Sequence, residues 1–382
     1  MARFFFCLLL VIGSACSVSN AAEAPALSTS GVARLITAAE KNVKDSQGWA
    51  VDLLDVLKLH DLPASKENIC AAIAIIDQES SFVADPAVAG LGKISEKALR
   101  AKMDKVPVVG RVALHFLEIK PSPSDNYLAR IRSARTERDL DLVYRAMVAD
   151  AAKQSGLGLV INSGLLNKQI DGRNEIDTIG SMQVSVDFAL EVAKRRRWLP
   201  MSLDDVYTLR DELYTRHGGM YYGVLLLLDY ETGYDRKLYR FADFNAGRYS
   251  SRNAALQNQI AELSGSNLAA DGDLLLYDKS GKVSGVVSNT EKALRAVLKS
   301  SNFELTDEDI RKDLLREKDN DFVLTLTYSA LRSTYGQVTG MRPAFAMVPK
   351  IALSSPKISS KMTTRIFAES VDRRYQSCMA RK

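Results

Sequence analysis

The stretch that decides the fold is Ala71-Ala72-Ile73-Ala74-Ile75-Ile76-Asp77-Gln78-Glu79-Ser80-Ser81-Phe82. Its apolar residues recur at helical spacing, so the stretch predicts a buried helix. Glu79 continues the apolar stripe, three positions after Ile76. Because an anion is poorly solvated beside an apolar wall, we expect a raised pKa for the Glu79 carboxyl, which makes it a candidate general acid near neutral pH. The competing interpretation is a solvated glutamate at a helix end.

The composition is that of an ordinary globular protein. Of the 382 residues, 46% are hydrophobic and 25% are charged, which is enough for one large core or two domains. The formal net charge of +5 comes from 51 basic and 46 acidic residues, and Lys194-Arg195-Arg196-Arg197 is the densest basic run. No basic stripe interleaved with aromatic residues is present, so the sequence does not indicate nucleic-acid binding.

Residues 1–21 predict an export signal. Arg3 precedes the apolar run 4–12, and small residues follow. Two cleavage sites compete. Cleavage after Ser19-Asn20-Ala21 would release a soluble protein, whereas Gly13-Ser14-Ala15-Cys16 resembles a lipoprotein cleavage box and makes Cys16 a candidate lipidation site. Both alternatives place the mature chain in the periplasm of a Gram-negative bacterium, the second as an outer-membrane lipoprotein.

Two cysteines lie well inside the mature chain, Cys70 and Cys378. They could form a disulfide in an oxidising compartment. Cys70 also lies on the apolar helix, where a free cysteine packs as a small hydrophobic residue. The sequence leaves both alternatives open, because connectivity cannot be deduced from it.

Two later stretches combine glycine with side chains that suit a ligand. Ile179-Gly180-Ser181-Met182-Gln183-Val184-Ser185 leads into a predicted helix over 186–197. Here glycine permits close approach of a ligand, methionine offers an apolar wall, and glutamine both donates and accepts hydrogen bonds. Phe244-Asn245-Ala246-Gly247 predicts a helix end with Gly247 as its left-handed cap, at which Asn245 could present its amide.

In this order, the three stretches resemble the lysozyme-like lytic transglycosylases. Glu79-Ser80-Ser81-Phe82 matches the Glu-Ser-x-Phe that carries the catalytic acid of that family. Gly180-Ser181-Met182-Gln183 is similar to its Gly-Leu-Met-Gln block, and Phe244-Asn245-Ala246-Gly247 to its Tyr-Asn-Ala-Gly block. The resemblance covers less than half of the chain and implies a divergent, largely uncharacterised bacterial branch.

The sequence also departs from the family pattern. Glu79 and Gly180 are separated by far more residues than in typical members, which implies an insertion at about 94–175. Phe244 replaces a tyrosine and so lacks a hydroxyl that could orient the acid or the sugar. The resemblance implies a mainly α, lysozyme-like core over 22–260 that includes this insertion. Residues 261–382 would then be a C-terminal extension packed on the core, with a β-hairpin predicted over 273–287.

The resemblance implies cleavage of the MurNAc-GlcNAc β-1,4 bond of peptidoglycan glycan strands with a single glutamate. Glu79 would act first as acid and then as base, while the substrate acetamido group assists and a 1,6-anhydro ring closes. Ser80 would hydrogen-bond to Glu79, and the amides of Gln183 and Asn245 would hold the sugar. Met182 and Phe244 would pack on sugar faces.

Alternatives to this chemistry remain open. Glycosidases usually employ two carboxylates. Asp77 is the nearest to Glu79 but, two positions back, points to another helix face, and Asp85 and Asp177 are further alternatives. We expect neither a metal nor another cofactor, since the three histidines lack ligand partners at motif spacing. The hypothesis from another class is a non-catalytic peptidoglycan-binding or envelope scaffold protein that kept the cleft and lost turnover. The sequence predicts no oligomeric state.

Overall fold

The computed structural model describes residues 27–155, 171–172, 174–278, 281–301, 303–353 and 362–381. This part of the chain is mainly helical, with 16 α-helices, one 3-10 helix and three two-stranded antiparallel sheets. The predicted mainly helical class is therefore confirmed. None of the helices in the described ranges has the length and apolar character needed to span a membrane. The predicted export signal, Cys16 included, lies outside the described residues.

The helices are numbered in chain order. They are α1 (Thr29–Ala39), α2 (Ser46–Leu59), α3 (Lys66–Ser80), α4 (Leu91–Asp104), α5 (Pro107–Ile119), α6 (Tyr127–Ser133), α7 (Glu137–Ser155), α8 (Val186–Arg195), α9 (Leu203–Leu213), α10 (Arg216–Leu228), α11 (Lys237–Ala246), α12 (Ser250–Ser264), α13 (Asn289–Lys299), α14 (Asp307–Leu314), α15 (Leu326–Thr339) and α16 (Thr364–Met379). The 3-10 helix spans Asn320–Leu324.

Each sheet is one pair of two-residue strands. β1 (Pro121–Ser122) pairs with β2 (Asp125–Asn126), β3 (Thr178–Ile179) with β4 (Val184–Ser185), and β5 (Ala352–Leu353) with β6 (Met362–Thr363). The β3–β4 hairpin holds Gly180-Ser181-Met182-Gln183 in its loop, so the second sequence block is a hairpin rather than a simple turn before a helix.

Helix α3 is the central helix of the main core. Ser65 caps its first turn by accepting a hydrogen bond from the amide of Asn68. Every residue from Ile69 to Ile76 is buried, so the helix is enclosed on all sides rather than along one stripe. It packs against α1, α10 and α16. Glu79 is its penultimate residue and emerges where the enclosure ends.

The hydrophobic residues form three clusters. The main core gathers α1, α2, α3, the β3–β4 hairpin and helices α8 to α11. A small cluster inside the predicted insertion joins α5, α6 and α7. A third cluster is built from α12 to α15. The last helix, α16, leaves this third group and packs in the main core, so part of the predicted C-terminal extension completes the core itself.

A disulfide joins an early helix of the main core to the last helix of the chain. Cys70 in α3 is bonded to Cys378 in α16, 308 positions later, with a Cα–Cα separation of 5.6 Å. The structure thus selects pairing over the alternative of an unpaired core cysteine. Gln78 and Asp77 also contact α16, through Ser370 and Arg374. These contacts show that α16 runs antiparallel to α3, so the N-terminal end of α16 lies near the end of α3 that carries Glu79.

Helix α10 begins at Arg216, after Tyr214 and Thr215 separate it from α9, and the Thr215 side chain caps its first turn. The small hairpin predicted over 273–287 is present in short form. Tyr277 and Val283 form an antiparallel bridge, and the amides of Asp278 and Ser284 donate to the carbonyls of Lys282 and Leu276 at 2.9 and 2.7 Å.

Candidate active site

The Glu79 carboxyl lies half-buried at the end of α3. Burial raises its pKa to about 7, and the negative charge of Glu137 adds to this effect. Within the described ranges, no side chain donates a hydrogen bond to it, so nothing there offsets the cost of ionisation. This carboxyl is therefore suited to carry a proton at neutral pH and to release it.

The backbone around the sequence blocks adopts unusual conformations. Among the described non-glycine residues, Ser81, Phe82 and Gln183 have φ angles of 50°, 61° and 48°. Such left-handed conformations are costly for residues with a side chain and persist where the surrounding structure imposes them, as at active sites. Phe82 is held by edge-to-face contact with Trp49 at 5.3 Å between ring centroids. The turn after Glu79 and the hairpin loop are thus both constrained.

Gly180 explains why the hairpin loop can lie against the core. Its φ is 83°, and a Cβ at this position would lie 2.2 Å from the carbonyl oxygen of Leu213. Only glycine allows this approach to the end of α9. The loop is therefore pressed onto the helix pair α9 and α10 and presents Gln183 on its other side.

The side chain of Gln183 is held between the hairpin and α7. Its Oε1 accepts a 3.0 Å hydrogen bond from the Thr178 hydroxyl. Its Nε2 donates to the carbonyl of Gly180 at 3.3 Å and to Oε2 of Glu137 at 3.4 Å. Since Glu137 acts electrostatically on Glu79, the structure brings the first and second sequence blocks together around this carboxylate.

The third block lies at the same end of α3 as Glu79. The Oδ1 atom of Asn245 accepts a 2.9 Å hydrogen bond from the hydroxyl of Thr364, the first residue of α16. In the described part of the chain, no group accepts a hydrogen bond from the Asn245 amide nitrogen, so its donors are available to a ligand. Gly247 is the C-cap of α11, as predicted; its φ of 102° is positive, which favours glycine, while its ψ of 148° lies outside the αL region.

A buried carboxylate anchors this third block. Asp243, 0% exposed, accepts hydrogen bonds from the backbone amides of Tyr249 and Ser251 at 2.9 and 2.6 Å and from the Tyr234 hydroxyl at 2.7 Å. Burial raises its pKa to about 6, although these donors oppose the shift. Asp243 is enclosed, so it acts as a structural tie that fixes the turn after Asn245.

Two predicted roles are corrected by the structure. Met182 is 0% exposed and packs against Gly223, so its side chain belongs to the core and offers no surface to a sugar. The Ser80 hydroxyl donates to the carbonyl of Ile76 at 3.1 Å, one helical turn back, so its proton is not directed at Glu79. Phe244 is partly buried against the main core and keeps some exposed surface.

The alternative acids have other surroundings. Asp77 forms an ion pair with Arg374 of α16 at 2.8 Å. Asp177 is exposed. Burial raises the pKa of Asp85, and the Thr136 hydroxyl partly offsets the shift. Asp85 therefore lies against the start of α7, beside Thr136.

The sequence analysis missed Glu137. This residue is 6% exposed and begins α7. No motif marks it, because it lies in the insertion and 58 positions from Glu79. The only signal is the helix start itself, which the Thr136 hydroxyl helps to form by accepting from the amide of Asp139.

A separate cavity of about 320 Å³ lies in the third cluster. Its polar side chains bond to one another, as Gln257 does by donating to Asp271 at 2.7 Å and to the carbonyl of Asp273 at 2.9 Å. Nor do the described residues include a group of three or more histidine, cysteine, aspartate or glutamate side chains arranged to hold a metal ion. We therefore place the candidate site at Glu79.

Comparisons with known proteins place the chain in a family. A family model described as "Protein of unknown function (DUF1615)" matches residues 42–381. The "Uncharacterized protein YaiW" of Escherichia coli (strain K12) is 35% identical over 338 residues, which covers 88% of this chain and 86% of that protein. No solved structure matches the chain. The chain therefore belongs to the family described as Protein of unknown function (DUF1615).

Proposed function

We propose that the chain cleaves the MurNAc-GlcNAc β-1,4 bond of peptidoglycan as a lytic transglycosylase, with Glu79 as general acid and base. The observation that carries the proposal is the half-buried Glu79 carboxyl, whose pKa is raised to about 7 at the end of a central helix. The resemblance of the three sequence blocks supports it. On this proposal α3, the β3–β4 hairpin and α11 form a lysozyme-like core.

In the proposed reaction, Glu79 gives its proton to the glycosidic oxygen as the bond to the anomeric carbon breaks. The oxygen of the neighbouring acetamido group then forms a bond to that carbon. In the second step the Glu79 carboxylate takes the proton of the muramyl 6-hydroxyl, whose oxygen displaces the acetamido oxygen and closes the 1,6-anhydro ring. Glu79 ends protonated, as it began, so no cofactor is consumed.

The other residues would bind the glycan strand. Asn245 can donate from its amide nitrogen to an acetamido carbonyl or a sugar hydroxyl, because its oxygen is already held by Thr364. Phe244 can offer the exposed part of its ring to a sugar face. Gln183 sets the distance between the hairpin and α7 through its bond to Glu137.

The second candidate function is a non-catalytic peptidoglycan-binding or scaffold protein. The burial of Met182 and the absence of a hydroxyl on Phe244 favour it, because both reduce the contacts that a transglycosylase cleft would offer a sugar. Whichever of the two functions holds, we propose that the mature protein is periplasmic. If the lipoprotein site is cleaved, a lipid on Cys16 anchors it to the outer membrane.

The test is incubation of the purified mature protein with purified peptidoglycan, followed by mass spectrometry of the released fragments and a pelleting assay for binding. The proposal predicts fragments that end in 1,6-anhydro-muramic acid. Release of fragments with a free reducing end would indicate hydrolysis instead. Binding without any release would replace the proposal with the scaffold function.

A further inference from the structure

Glu137 lies where the chain returns to the end of α3. The amide of Val88 donates a 2.9 Å hydrogen bond to the carbonyl of Arg135, and Ala87 pairs with Thr136 in an antiparallel bridge. The loop after Glu79 is therefore joined to the two residues that precede Glu137. This pairing fixes the C-terminal end of α3 beside the N-terminal end of α7.

Buried ion pairs hold α7 one turn after Glu137. Asp141 is 0% exposed, and its Oδ1 atom accepts hydrogen bonds from Arg210 at 2.9 Å and from Asn174 at 2.6 Å. Residues four apart share a helix face, so this network secures the face of α7 that carries Glu137. Because Arg210 belongs to α9, and the β3–β4 hairpin also packs on α9, the network fixes α7 relative to the hairpin.

The two carboxyls stand at opposite kinds of helix end. Glu79 is next to the last residue of α3, where the unpaired carbonyls of a helix disfavour a negative charge. Glu137 is the first residue of α7, where a helix leaves its first backbone amides unpaired. In the described part of the chain, Glu137 is also the charged group that acts on Glu79.

We propose that Glu137 is a positioning residue of the candidate site, which holds the Gln183 amide and places a second negative charge beside Glu79. Its contact with Gln183 is the 3.4 Å hydrogen bond to Oε2, and its own side chain is almost fully buried. The effect on cleavage rests on the proposed function, whereas the charge interaction between the two carboxyls does not. In the reaction, the charge of Glu137 would keep the proton on Glu79 until the glycosidic oxygen takes it.

The test compares Glu137→Gln with Asp150→Asn, which removes one carboxylate from the distal half of the same helix. Glutamine at 137 keeps an acceptor for Gln183 and removes only the charge. The titration midpoint of Glu79 is followed by NMR on protein with ¹³C-labelled glutamate carboxyls, assigned by the resonance that Glu79→Gln lacks. We expect the midpoint to fall by about half a pH unit or more in Glu137→Gln. It should not move in Asp150→Asn.

The pH profile of fragment release gives the second readout. A general acid is active while protonated, so its activity is lost as pH rises through its pKa. In Glu137→Gln this alkaline limb should move to lower pH by the same amount as the NMR midpoint. A merely structural role would lower the whole profile without moving the limb.

Each outcome separates the two proposals. A folded Glu137→Gln variant with an unchanged midpoint overturns the role of Glu137, whatever the activity. A lowered midpoint in a protein that releases no fragments supports the role of Glu137 and removes the proposed function. If Glu137→Gln does not fold, Glu137→Asp keeps the charge and withdraws it from Gln183. A raised midpoint with an increased KM then supports the role of Glu137, and a midpoint at the ordinary glutamate value contradicts it.

Discussion

At the scale of the residue, Glu79 combines two properties that oppose each other in a folded protein. Its backbone belongs to a buried helix, and its carboxyl reaches solvent beside a second buried carboxylate. An ionised group in this place is poorly solvated, which costs stability and gives a proton donor near neutral pH. The burial of the Glu79 carboxyl therefore lowers the stability of the folded chain near neutral pH, and the same burial provides the protonated acid that the proposed chemistry needs.

This opposition predicts how Glu79→Gln changes stability with pH. The folded pKa is about 7, above the ordinary 4.5, so the folded chain keeps its proton while the unfolded chain loses it as pH rises from about 4.5 to 7. Wild-type stability should therefore decline over this range relative to Glu79→Gln, by up to about 3 kcal/mol at pH 8. Urea unfolding at pH 5 and pH 8 measures the difference.

The control for this prediction is Glu304→Gln, at an exposed glutamate. Its stability difference from wild type should be the same at both pH values. A pH-independent difference between wild type and Glu79→Gln would contradict a raised pKa in the folded protein.

At the scale of the element, α16 contacts both the helix that carries Glu79 and the residue Asn245. It joins α3 through the Cys70–Cys378 disulfide and through Arg374, and it holds Asn245 through Thr364. Helices α3 and α16 are thus fixed against each other along their length, by the disulfide near the start of α3 and by the Asp77–Arg374 ion pair near the end that carries Glu79. The contacts of α16 therefore help to position both the Glu79 block and the Asn245 block.

The disulfide predicts a measurable share of the stability. The Cys70→Ala/Cys378→Ala variant should lose about 2–5 kcal/mol of unfolding free energy, since the cross-link closes a very long loop. Urea unfolding of wild type with and without a thiol reductant checks this. The reductant should lower the wild-type midpoint toward that of the variant and leave the variant unchanged. A wild-type midpoint that does not respond to full reduction would show that the bond contributes little.

Helices were the elements that the sequence predicted best, because their apolar residues repeat over several turns. The start of α7 at Glu137 and the cap of α3 at Ser65 follow from local chemistry alone. The β3–β4 hairpin was missed because its strands have two residues each, too few for an alternating pattern. The role of Glu137 could not be predicted, because its approach to α3 depends on a bridge between Ala87 and Thr136, 49 positions apart.

At the scale of the whole molecule, the chain joins distant segments into one core. Residues of α1 and α16 lie in the same hydrophobic cluster, and the insertion returns α7 to the end of α3. The burial of Met182 could not be predicted from the sequence, because it depends on the contact of its side chain with Gly223 of α10. Local patterns marked Glu79, Gln183 and Asn245 as candidates, and the long-range packing decides which candidates lie close together.

The location of the mature protein is a prediction at this scale. Cell fractionation of wild type and Cys16→Ala should find both in the envelope, outside the cytoplasm. If the lipoprotein site is used, wild type is recovered with the outer membrane and Cys16→Ala is not. Equal recovery of both in the soluble periplasmic fraction would select cleavage after Ala21. Recovery of wild type in the cytoplasm would contradict the predicted export.

The most direct test of the central claim is the cleavage of peptidoglycan by Glu79→Gln at pH 6, measured as 1,6-anhydro-muropeptides released per unit time. Glutamine keeps the size of the side chain but cannot deliver a proton. We expect release to fall about a hundred- to ten-thousand-fold, with binding to peptidoglycan retained. Asp77→Asn, which removes a carboxylate from the same helix, should stay within a few-fold of wild type. Equal release by wild type and Glu79→Gln would contradict the account, because the proton would then come from another residue.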